Sequence, residues 1–348
     1  MNKEKTLLRV VSALSSVFCI LIIVLSLSAC SPQKDNIYQK SKVLMDTLVI
    51  ITVASSSESG AEIATNAAFA EIERLEGLLD FYSPESQISL INRNAGVSGV
   101  QVSHDVIELI DKALYVSEKT DGAFDVTIGP LTSLYDFHKH VRPDDKTIRK
   151  NLALINYRDL LLDNAGYTVY LKRKGMLIDT GGIAKGYAAD RAVETLKKQG
   201  IQAGIVAVAG DIRTFGLKPD GKPWKIGIRN PNATNDKDEI FATVQLTDMA
   251  ISTSGDYERF FFANNKRIHH LLNPKTGYPS EACRSVSVIA KEGVFTDAFA
   301  TGAFILGPVK GMKVLEGMGF GGIIMDNEGK TRLTPNMRGK VEFQGAPS

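Results

Sequence analysis

The sequence has very little cysteine, no surplus of one charge and only one long hydrophobic run. Its 348 residues contain three cysteines, and two of them, Cys19 and Cys30, lie in the N-terminal 30 residues. Only Cys283 remains, so no intrachain disulfide can form in the rest of the chain, and burial of apolar side chains must hold the fold together. Hydrophobic residues make up 44% of the chain, which excludes a disordered or fibrous protein.

The balance of charge excludes one class of partner. The chain has 41 Lys and Arg against 39 Asp and Glu, and its formal net charge is +2. The N-terminal 30 residues account for this surplus, through Lys3, Lys5 and Arg9 against Glu4. Because no basic tract follows, nothing in the sequence indicates a nucleic-acid-binding protein. We also find no internal repeat and no low-complexity tract.

The hydrophobic run lies at the N-terminus. It covers 10–29, follows three basic residues and ends in Leu-Ser-Ala-Cys at Cys30, which is typical of a secretory signal and resembles a bacterial lipobox. We predict a signal peptide over 1–29, lipidation of Cys30, and a polar tether over 30–42. The protein would then be exported and lipid-anchored, on the outer side of the cytoplasmic membrane or in the periplasm. The alternative is an uncleaved anchor, because about twenty apolar residues can span a bilayer.

Residues 43–340 mix strand and helix patterns irregularly, which predicts an α+β domain and not a βαβ repeat. A β-branched run opens the domain, and a loop through the interior is expected over Gly122–Pro130. Helical periodicity is found over 61–80, 104–119, 184–199, 295–306 and 308–318. Strand patterns are found over 43–53, 167–172, 175–179, 204–209, 224–229, 241–246, 249–253 and 285–290.

The stretch DTGGIAKGYAAD, 179–190, joins a predicted strand to a predicted helix through two glycines. Glycines allow a tight turn with close backbone approach, and a helix N-terminus that follows presents N–H groups to an anion. Lys185 adds a positive charge suited to phosphate. The stretch is neither a dinucleotide GxGxxG motif nor a P-loop. The glycines alone are equally consistent with a turn that binds nothing.

Two further segments carry polar groups between apolar runs. Asp297 and Thr301 are four residues apart on a predicted helix, so their oxygens would lie on one face and could share a Mg²⁺ ion. A capped, buried helix would explain the same pair without a metal. His269 and His270 are adjacent, and on a strand they would point to opposite sides, so at most one would serve a site. Both could also be satisfied by backbone contacts.

Four separated motifs together resemble the ApbE family of FAD:protein FMN transferases. They are D-x-G-G-I-A-K-G-Y-A-x-D from Asp179, T-S-G-D-Y-E-R-F from Thr253, H-H-L-L-N-P-K-T-G from His269, and D-A-x-A-T from Asp297. The resemblance covers roughly 43–330. It implies a two-lobed α+β domain with FAD between the lobes, and Mg²⁺-dependent transfer of FMN to a Thr or Ser hydroxyl of a target protein, with release of AMP. The implied acceptors carry a Thr-containing flavinylation motif, such as membrane redox-pump subunits or extracytoplasmic flavin carriers.

The resemblance also implies roles for individual residues. His270 would be the base that deprotonates the acceptor, and Lys185 and Asp297 would complete the catalytic set. The metal ligands would be Asp297, Thr301 and a main-chain carbonyl at Gly182 or Ala184. The flavin and adenine contacts would come from Met45, Tyr82, Ala123, Phe124, Asp125, Asp179, Lys185 and Leu271.

The sequence departs from the family pattern in three places. Where members often have Asn-x-Gly-Gly-Asp, this chain has Ala207 and Ala209 before a retained Gly-Asp, so we leave that strand out of the site. Ala300 replaces a second Asp found in some members, which predicts weaker Mg²⁺ binding. Asn273 replaces a commoner Asp. Two alternative functions stay open: hydrolysis of FAD to FMN and AMP, and FAD binding without chemistry.

Overall fold

A computed structural model describes residues 35–233 and 239–344 of the chain. Helices and strands are mixed along it, as the predicted α+β class requires. The helices are α1 (Glu58–Leu79), α2 (Gln87–Arg93), α3 (His104–Lys119), α4 (Gly129–Thr132), α5 (Asp145–Leu152), α6 (Ala184–Lys198) and α7 (Gly293–Gly317). The strands are β1 (Asn36–Leu44), β2 (Thr47–Ser55), β3 (Val100–Gln101), β4 (Leu160–Asp163), β5 (Thr168–Leu171), β6 (Ala203–Val208), β7 (Asp211–Phe215), β8 (Trp224–Arg229), β9 (Ile240–Leu246), β10 (Ala250–Gly255), β11 (Phe260–Ala263), β12 (Lys266–His269), β13 (Cys283–Ala290), β14 (Gly321–Asp326), β15 (Thr331–Leu333) and β16 (Val341–Phe343).

An eight-stranded antiparallel sheet in the order β1-β2-β6-β7-β10-β13-β14-β15 organises the domain. Alternate residues of a strand point to opposite faces. In β2, Val49, Ile51 and Val53 therefore join the main core, which lies between the sheet and helices α1, α6 and α7. On the other face, the sheet β16-β9-β8 covers a second core that includes Ala54 and Ile251.

Helices α6 and α7 cross at a point where neither carries a side chain. A Cβ atom added at Gly186 of α6 would overlap the carbonyl of Gly293 in α7, so only glycine permits this approach. Asp190, one turn further along α6, accepts hydrogen bonds from the N–H groups of Gly293 at 2.8 Å and Val294 at 2.9 Å. Asp190 therefore caps α7 and fixes the start of that helix against α6.

A third, smaller core lies outside the main sheet. It joins residues 131–155, which include α5, to residues 259–280, which include the β11–β12 hairpin. The buried members of this core are Leu131, Tyr135, Ile148, Phe261, Ile268 and Leu272. We call 131–155 and 259–280 together the satellite lobe.

The predicted tether is too long at its C-terminal end. Residues 36–42 belong to β1, which pairs with β2 from Asn36 opposite Ser55 to Leu44 opposite Thr47. The strand is at the edge of the sheet and is mostly exposed, so its polar side chains gave no apolar pattern. The signal peptide, Cys30 and the first part of the tether lie outside the described residues.

Most of the predicted helices and strands are confirmed, with three corrections. The β-branched run 43–53 is not one strand, because Met45 and Asp46 adopt positive φ values of 53° and 55° and turn β1 into β2. Residues 175–179 are not a strand, since only Leu177 forms a bridge, to Ile128. The chain before Asp179 is thus an extended loop. The prediction also lacks strands β3, β4, β7, β11, β12, β14, β15 and β16 and helices α2, α4 and α5.

The long helix α7 and the interior loop agree with their predictions. Two helices were predicted on either side of Gly307, and Gly307 interrupts α7 with a φ of 79° directly before Pro308. Proline cannot donate the backbone hydrogen bond that a continuous helix needs at this point. The loop 122–130 is almost entirely buried and ends in the short helix α4.

Candidate active site

The predicted site residues line a cavity of about 320 Å³, which lies between the main sheet, the interior loop and the satellite lobe. All thirteen residues proposed for catalysis, cofactor or metal line it. They are Met45, Tyr82, Ala123, Phe124, Asp125, Asp179, Gly182, Ala184, Lys185, His270, Leu271, Asp297 and Thr301. These residues come from six separate stretches of sequence, so the fold brings together groups that the sequence only named.

The glycine turn before α6 is held by Asp179. One carboxylate oxygen of Asp179 accepts the N–H of Gly181 at 2.8 Å, and the other accepts the hydroxyl of Thr132 at 2.6 Å. The turn itself closes through the N–H groups of Ile183 and Ala184, which both donate to the Thr180 carbonyl. Asp179 therefore shapes the turn, and the N–H groups expected to be free for an anion are partly used by the protein.

The first turn of α6 already binds an anion from within the chain. The N–H of Gly186 donates to Oδ2 of Asp297 at 3.0 Å. A helix N-terminus favours negative charge through its N–H groups and its dipole. The carboxylate at this helix terminus is the side chain of Asp297, and binding of a ligand anion there stays a prediction.

Lys185 and two carboxylates form a charged cluster at the cavity wall. The Nζ of Lys185 lies 2.8 Å from Oδ2 of Asp211 and 3.8 Å from Oδ1 of Asp297. Burial and the neighbouring Asp211 raise the pKa of Asp297, while Lys185 opposes that rise. Burial by itself lowers the pKa of Lys185, but the attraction of Asp211 and Asp297 outweighs it, so the pKa is raised and the lysine stays charged.

Thr301 lies one helical turn beyond Asp297 and faces the glycine turn. Its hydroxyl is 3.3 Å from the Ser254 hydroxyl. A Cβ added at Gly182 would be 3.5 Å from Thr301 Oγ1 and 3.3 Å from the ring of Phe124. Gly182 thus leaves room beside the hydroxyl, and the oxygens of Asp297, Thr301 and the turn open to one space.

These oxygen donors are compatible with the implied Mg²⁺. Among the described residues, no group of three or more His, Cys, Asp or Glu side chains is placed to hold a metal ion. A site here would therefore combine at most two such side chains with hydroxyl and carbonyl oxygens, together with water and substrate oxygens. Mg²⁺ accepts such a set, because it is commonly held by one or two carboxylates and retains several waters. The residues present therefore fit that ion.

The two histidines have different environments. His269 is buried, with Nε2 2.9 Å from the Ser280 carbonyl and Nδ1 accepting the N–H of Leu271 at 3.3 Å. His270 lines the cavity, and its buried Nδ1 has no hydrogen-bond partner in the described part of the chain. Burial, helped by His269 and nearby cations, lowers the pKa of His270 to about 3. The imidazole of His270 is therefore neutral near pH 7 and has a free nitrogen.

The proposed flavin contacts include groups of several kinds. Asp125 is held internally, since it accepts hydrogen bonds from Thr127 and from the N–H of Tyr157. Met45 has a positive φ, and its N–H donates to Glu76. Tyr82 is 76% exposed at the rim, with its ring edge-on to Phe81. The rim therefore offers an accessible aromatic face, while Asp125 supports the loop.

Sequence reasoning missed three charged residues in this cavity. Asp211 lies at the start of β7, directly after the strand that the sequence prediction leaves out of the site, yet its carboxylate forms an ion pair with Lys185. Glu258 and Arg259 also line the cavity and have no ion-pair partner among the described residues. Both lie in the quoted T-S-G-D-Y-E-R-F motif, so the motif itself was the available signal. Burial raises the pKa of Glu258.

Comparison with known proteins identifies the family of this chain. The model of the ApbE family matches residues 45–323. An FAD:protein FMN transferase of Klebsiella pneumoniae (strain 342) is 36% identical over 284 residues, which cover 81% of this chain and 86% of that protein. The FAD:protein FMN transferase of Haemophilus influenzae is 30% identical over 301 residues, covering 84% and 87%.

Solved structures show the same fold. The ApbE protein of Thermotoga maritima superposes with a TM-score of 0.81 at 30% identity, covering 87% of this chain and 98% of that one. The apo form of the flavinyl transferase ApbE of Pseudomonas stutzeri gives 0.78 at 28% identity, covering 91% and 100%. The chain therefore belongs to the ApbE family and is an enzyme of the transferase class.

Proposed function

We propose that this enzyme transfers FMN from FAD to the hydroxyl of a Thr or Ser in an acceptor protein, in a Mg²⁺-dependent reaction that releases AMP. The observation that carries the proposal is that Lys185, His270 and Asp297, which are far apart in sequence, line one cavity. Similarity to proteins named FAD:protein FMN transferases supports the same reaction.

The chemistry needs charge neutralisation and a proton acceptor. The acceptor oxygen forms a bond to the phosphorus on the FMN side of the pyrophosphate, the P–O bond to AMP breaks, and AMP leaves. His270 takes the hydroxyl proton at its free imidazole nitrogen, which is available because the ring is neutral. Lys185 supplies positive charge to the phosphates. When bound, Mg²⁺ would neutralise charge on the transferred phosphate, and Asp297, Thr301 and a carbonyl at Gly182 or Ala184 would hold it.

The remaining cavity residues would bind FAD. We assign the flavin and adenine contacts to Met45, Tyr82, Ala123, Phe124, Asp125, Asp179, Lys185 and Leu271, and the exposed ring of Tyr82 would stack on the flavin. The predicted signal peptide and the lipobox at Cys30 support a location outside the cytoplasm, on a lipid anchor. Its acceptors would be membrane redox-pump subunits or extracytoplasmic flavin carriers with a Thr-containing motif.

The test is the intact mass of an acceptor domain with such a motif, after incubation with the enzyme, FAD and Mg²⁺. We expect a gain equal to one FMN phosphoester, and its loss with EDTA. Asp297→Asn should lower the rate on the order of 100-fold or more, because it removes the carboxylate that would hold the Mg²⁺ ion, and that ion would neutralise charge on the phosphate. Asp326→Asn is the matched control, since Asp326 is buried in β14 outside the cavity. AMP without a mass gain would favour hydrolysis, and bound FAD without AMP would favour a carrier.

Tyr82 offers a second test, of the choice between transfer and hydrolysis. A ring over the flavin should help to exclude water from the pyrophosphate. We expect Tyr82→Asn to increase AMP formation in the absence of acceptor, while Tyr82→Phe keeps the wild-type ratio of transfer to hydrolysis. AMP release by Tyr82→Asn at the wild-type rate would contradict this role.

A further inference from the structure

The satellite lobe carries a strong positive charge, although the net charge of the whole chain is only +2. It contains nine Lys and Arg but only three acidic residues, Asp136, Asp144 and Asp145. The basic residues are Lys139, Arg142, Lys146, Arg149, Lys150, Arg259, Lys266, Arg267 and Lys275. The lobe therefore carries a formal charge of +6, and since the whole chain carries +2, the rest of the chain sums to −4.

Much of this charge is not neutralised within the chain. Four of the nine cations form ion pairs, with Asp136, Asp145, Asp256 and Asp121. The other five are exposed and have no ion-pair partner among the described residues. They are Lys146, Arg149, Lys150, Arg259 and Lys266. An exposed field of one sign attracts a partner of the opposite sign.

This positive surface is joined to the candidate active site. Arg259 and His270 both line the cavity, and the N–H of His270 donates to the Arg259 carbonyl at 3.1 Å. The β11–β12 hairpin begins from this point, with Phe260 opposite His269, and its turn lies at Asn264 and Asn265. Four paired positions span about 13 Å at the usual rise of a strand. A polypeptide lying along the hairpin would therefore lead directly into the cavity.

The hairpin also exposes an aromatic side chain. Phe262 is 64% exposed, and the guanidinium of Arg267 lies over its ring and over that of Phe260. Aromatic residues beside arginine are typical of the central contacts in protein interfaces. The surface thus combines an apolar contact with surrounding positive charge.

We propose that the satellite lobe is the docking surface for the acceptor protein, and that it binds an acidic segment next to the hydroxyl that is modified. This inference rests on the proposed transfer to a protein. An anionic membrane would also attract the five free cations. A polypeptide is the better match, because only a polypeptide explains why the surface ends at His270, where a hydroxyl must arrive.

The test uses the full chain in detergent and short fluorescent peptides with one central threonine. The flanks of the peptides are acidic, neutral amide or basic, and binding is measured by fluorescence anisotropy. The lobe variant is Lys266→Glu with Arg149→Glu, since both residues are exposed and neither lines the cavity. The matched control is Lys198→Glu with Lys313→Glu, which reverses two exposed lysines outside the lobe. FAD binding, followed by flavin fluorescence, should be the same in all three proteins.

We expect the acidic peptide to bind the wild type and the control more tightly than the neutral one. The lobe variant should bind the acidic peptide more weakly by on the order of tenfold, and added salt should weaken binding to the wild type. Equal binding of acidic and neutral peptides, or an equal loss in the control, would overturn the proposal. The proposal would also be overturned if the lobe variant still bound the acidic peptide but no longer bound vesicles of anionic phosphatidylglycerol. Peptide binding without any FMN mass gain would instead count against the transfer reaction.

Discussion

Both faces of the eight-stranded sheet bury apolar side chains, but the face towards α6 and α7 also buries polar groups beside the site. On the face towards α6 and α7, β7 presents Asp211 and β10 presents Ser252 and Ser254. On the opposite face, the adjacent residues of the same strands, Ile212 and Ile251, pack into the second, apolar core. Because successive side chains of a strand point to opposite faces, one strand supplies both surfaces.

The polar groups on the helix-facing side have specific partners. Ser252 bonds to Thr296 at 2.8 Å, and Ser254 lies 3.3 Å from Thr301. A polar group buried without a partner costs free energy, so these pairs favour one position of α7 over the sheet. The opposite face also has a hydroxyl pair, Thr253 with Ser287 at 2.7 Å, but that pair joins two neighbouring strands. Polar pairs between a strand and a helix thus mark the side of the sheet on which α7 holds its site residues.

The largest effect should follow from separating α6 and α7. In Gly186→Ala the new Cβ would overlap the Gly293 carbonyl and lie 2.8 Å from Asp297 Cβ, so the helices must move apart. We expect a loss of roughly 3 kcal/mol in the free energy of unfolding, measured with urea. Gly77→Ala in α1 is the control, because no described atom lies within 4 Å of its added Cβ. That change should stabilise by about 0.5–1 kcal/mol. Equal effects would show that the crossing is not close-packed.

A smaller effect is the dependence of stability on pH. It tests His270, whose buried Nδ1 has no hydrogen-bond partner among the described residues, in contrast to the paired hydroxyls beside α7. The pKa of His270 is about 3 in the folded chain, against about 6.5 when unfolded, so the unfolded state binds more protons between these values. Stability should therefore fall as the pH drops from 6.5, by up to about 1.4 kcal/mol per unit from this group. His270→Gln should flatten that slope, and His104→Gln, which removes an imidazole at an exposed site, is the control for loss of a histidine. A slope in His270→Gln as steep as in the wild type would contradict the buried, neutral assignment.

The smallest effect lies at the turn that positions Asp211. Ala209 has a φ of 54°, in the left-handed region that favours glycine. Ala209→Gly should raise the free energy of unfolding by about 0.5–1 kcal/mol. Ala207→Gly, two residues earlier within β6, should lower it. Both free energies of unfolding are measured in urea. If they change in the same direction in the two variants, Ala209 is not strained.

The sequence was most informative where the pattern was local. Periodicity predicted α1, α3 and α6 closely, and its two separate helices over 295–306 and 308–318 agree with the break in α7 at Gly307. It failed for β1, whose exposed edge carries polar side chains, and for 175–179, where an apolar run is buried without pairing as a strand. The family resemblance named thirteen residues that line the cavity, and eight of them lie within the four motifs. The pairing of Lys185 with Asp211 was missed, because Ala207 and Ala209 depart from the family pattern in that strand.

The sequence by itself determined the family, the mixed fold class and the residue types of the site, because motifs and periodicity are properties of neighbouring residues. The family resemblance named His270, but only the tertiary structure shows why it and not His269 serves the cavity, since the two rings differ in their distant partners. It also decided where charge accumulates. The sequence shows a nearly balanced chain, but folding brings 131–155 and 259–280 together, and their combined charge appears only in that packing.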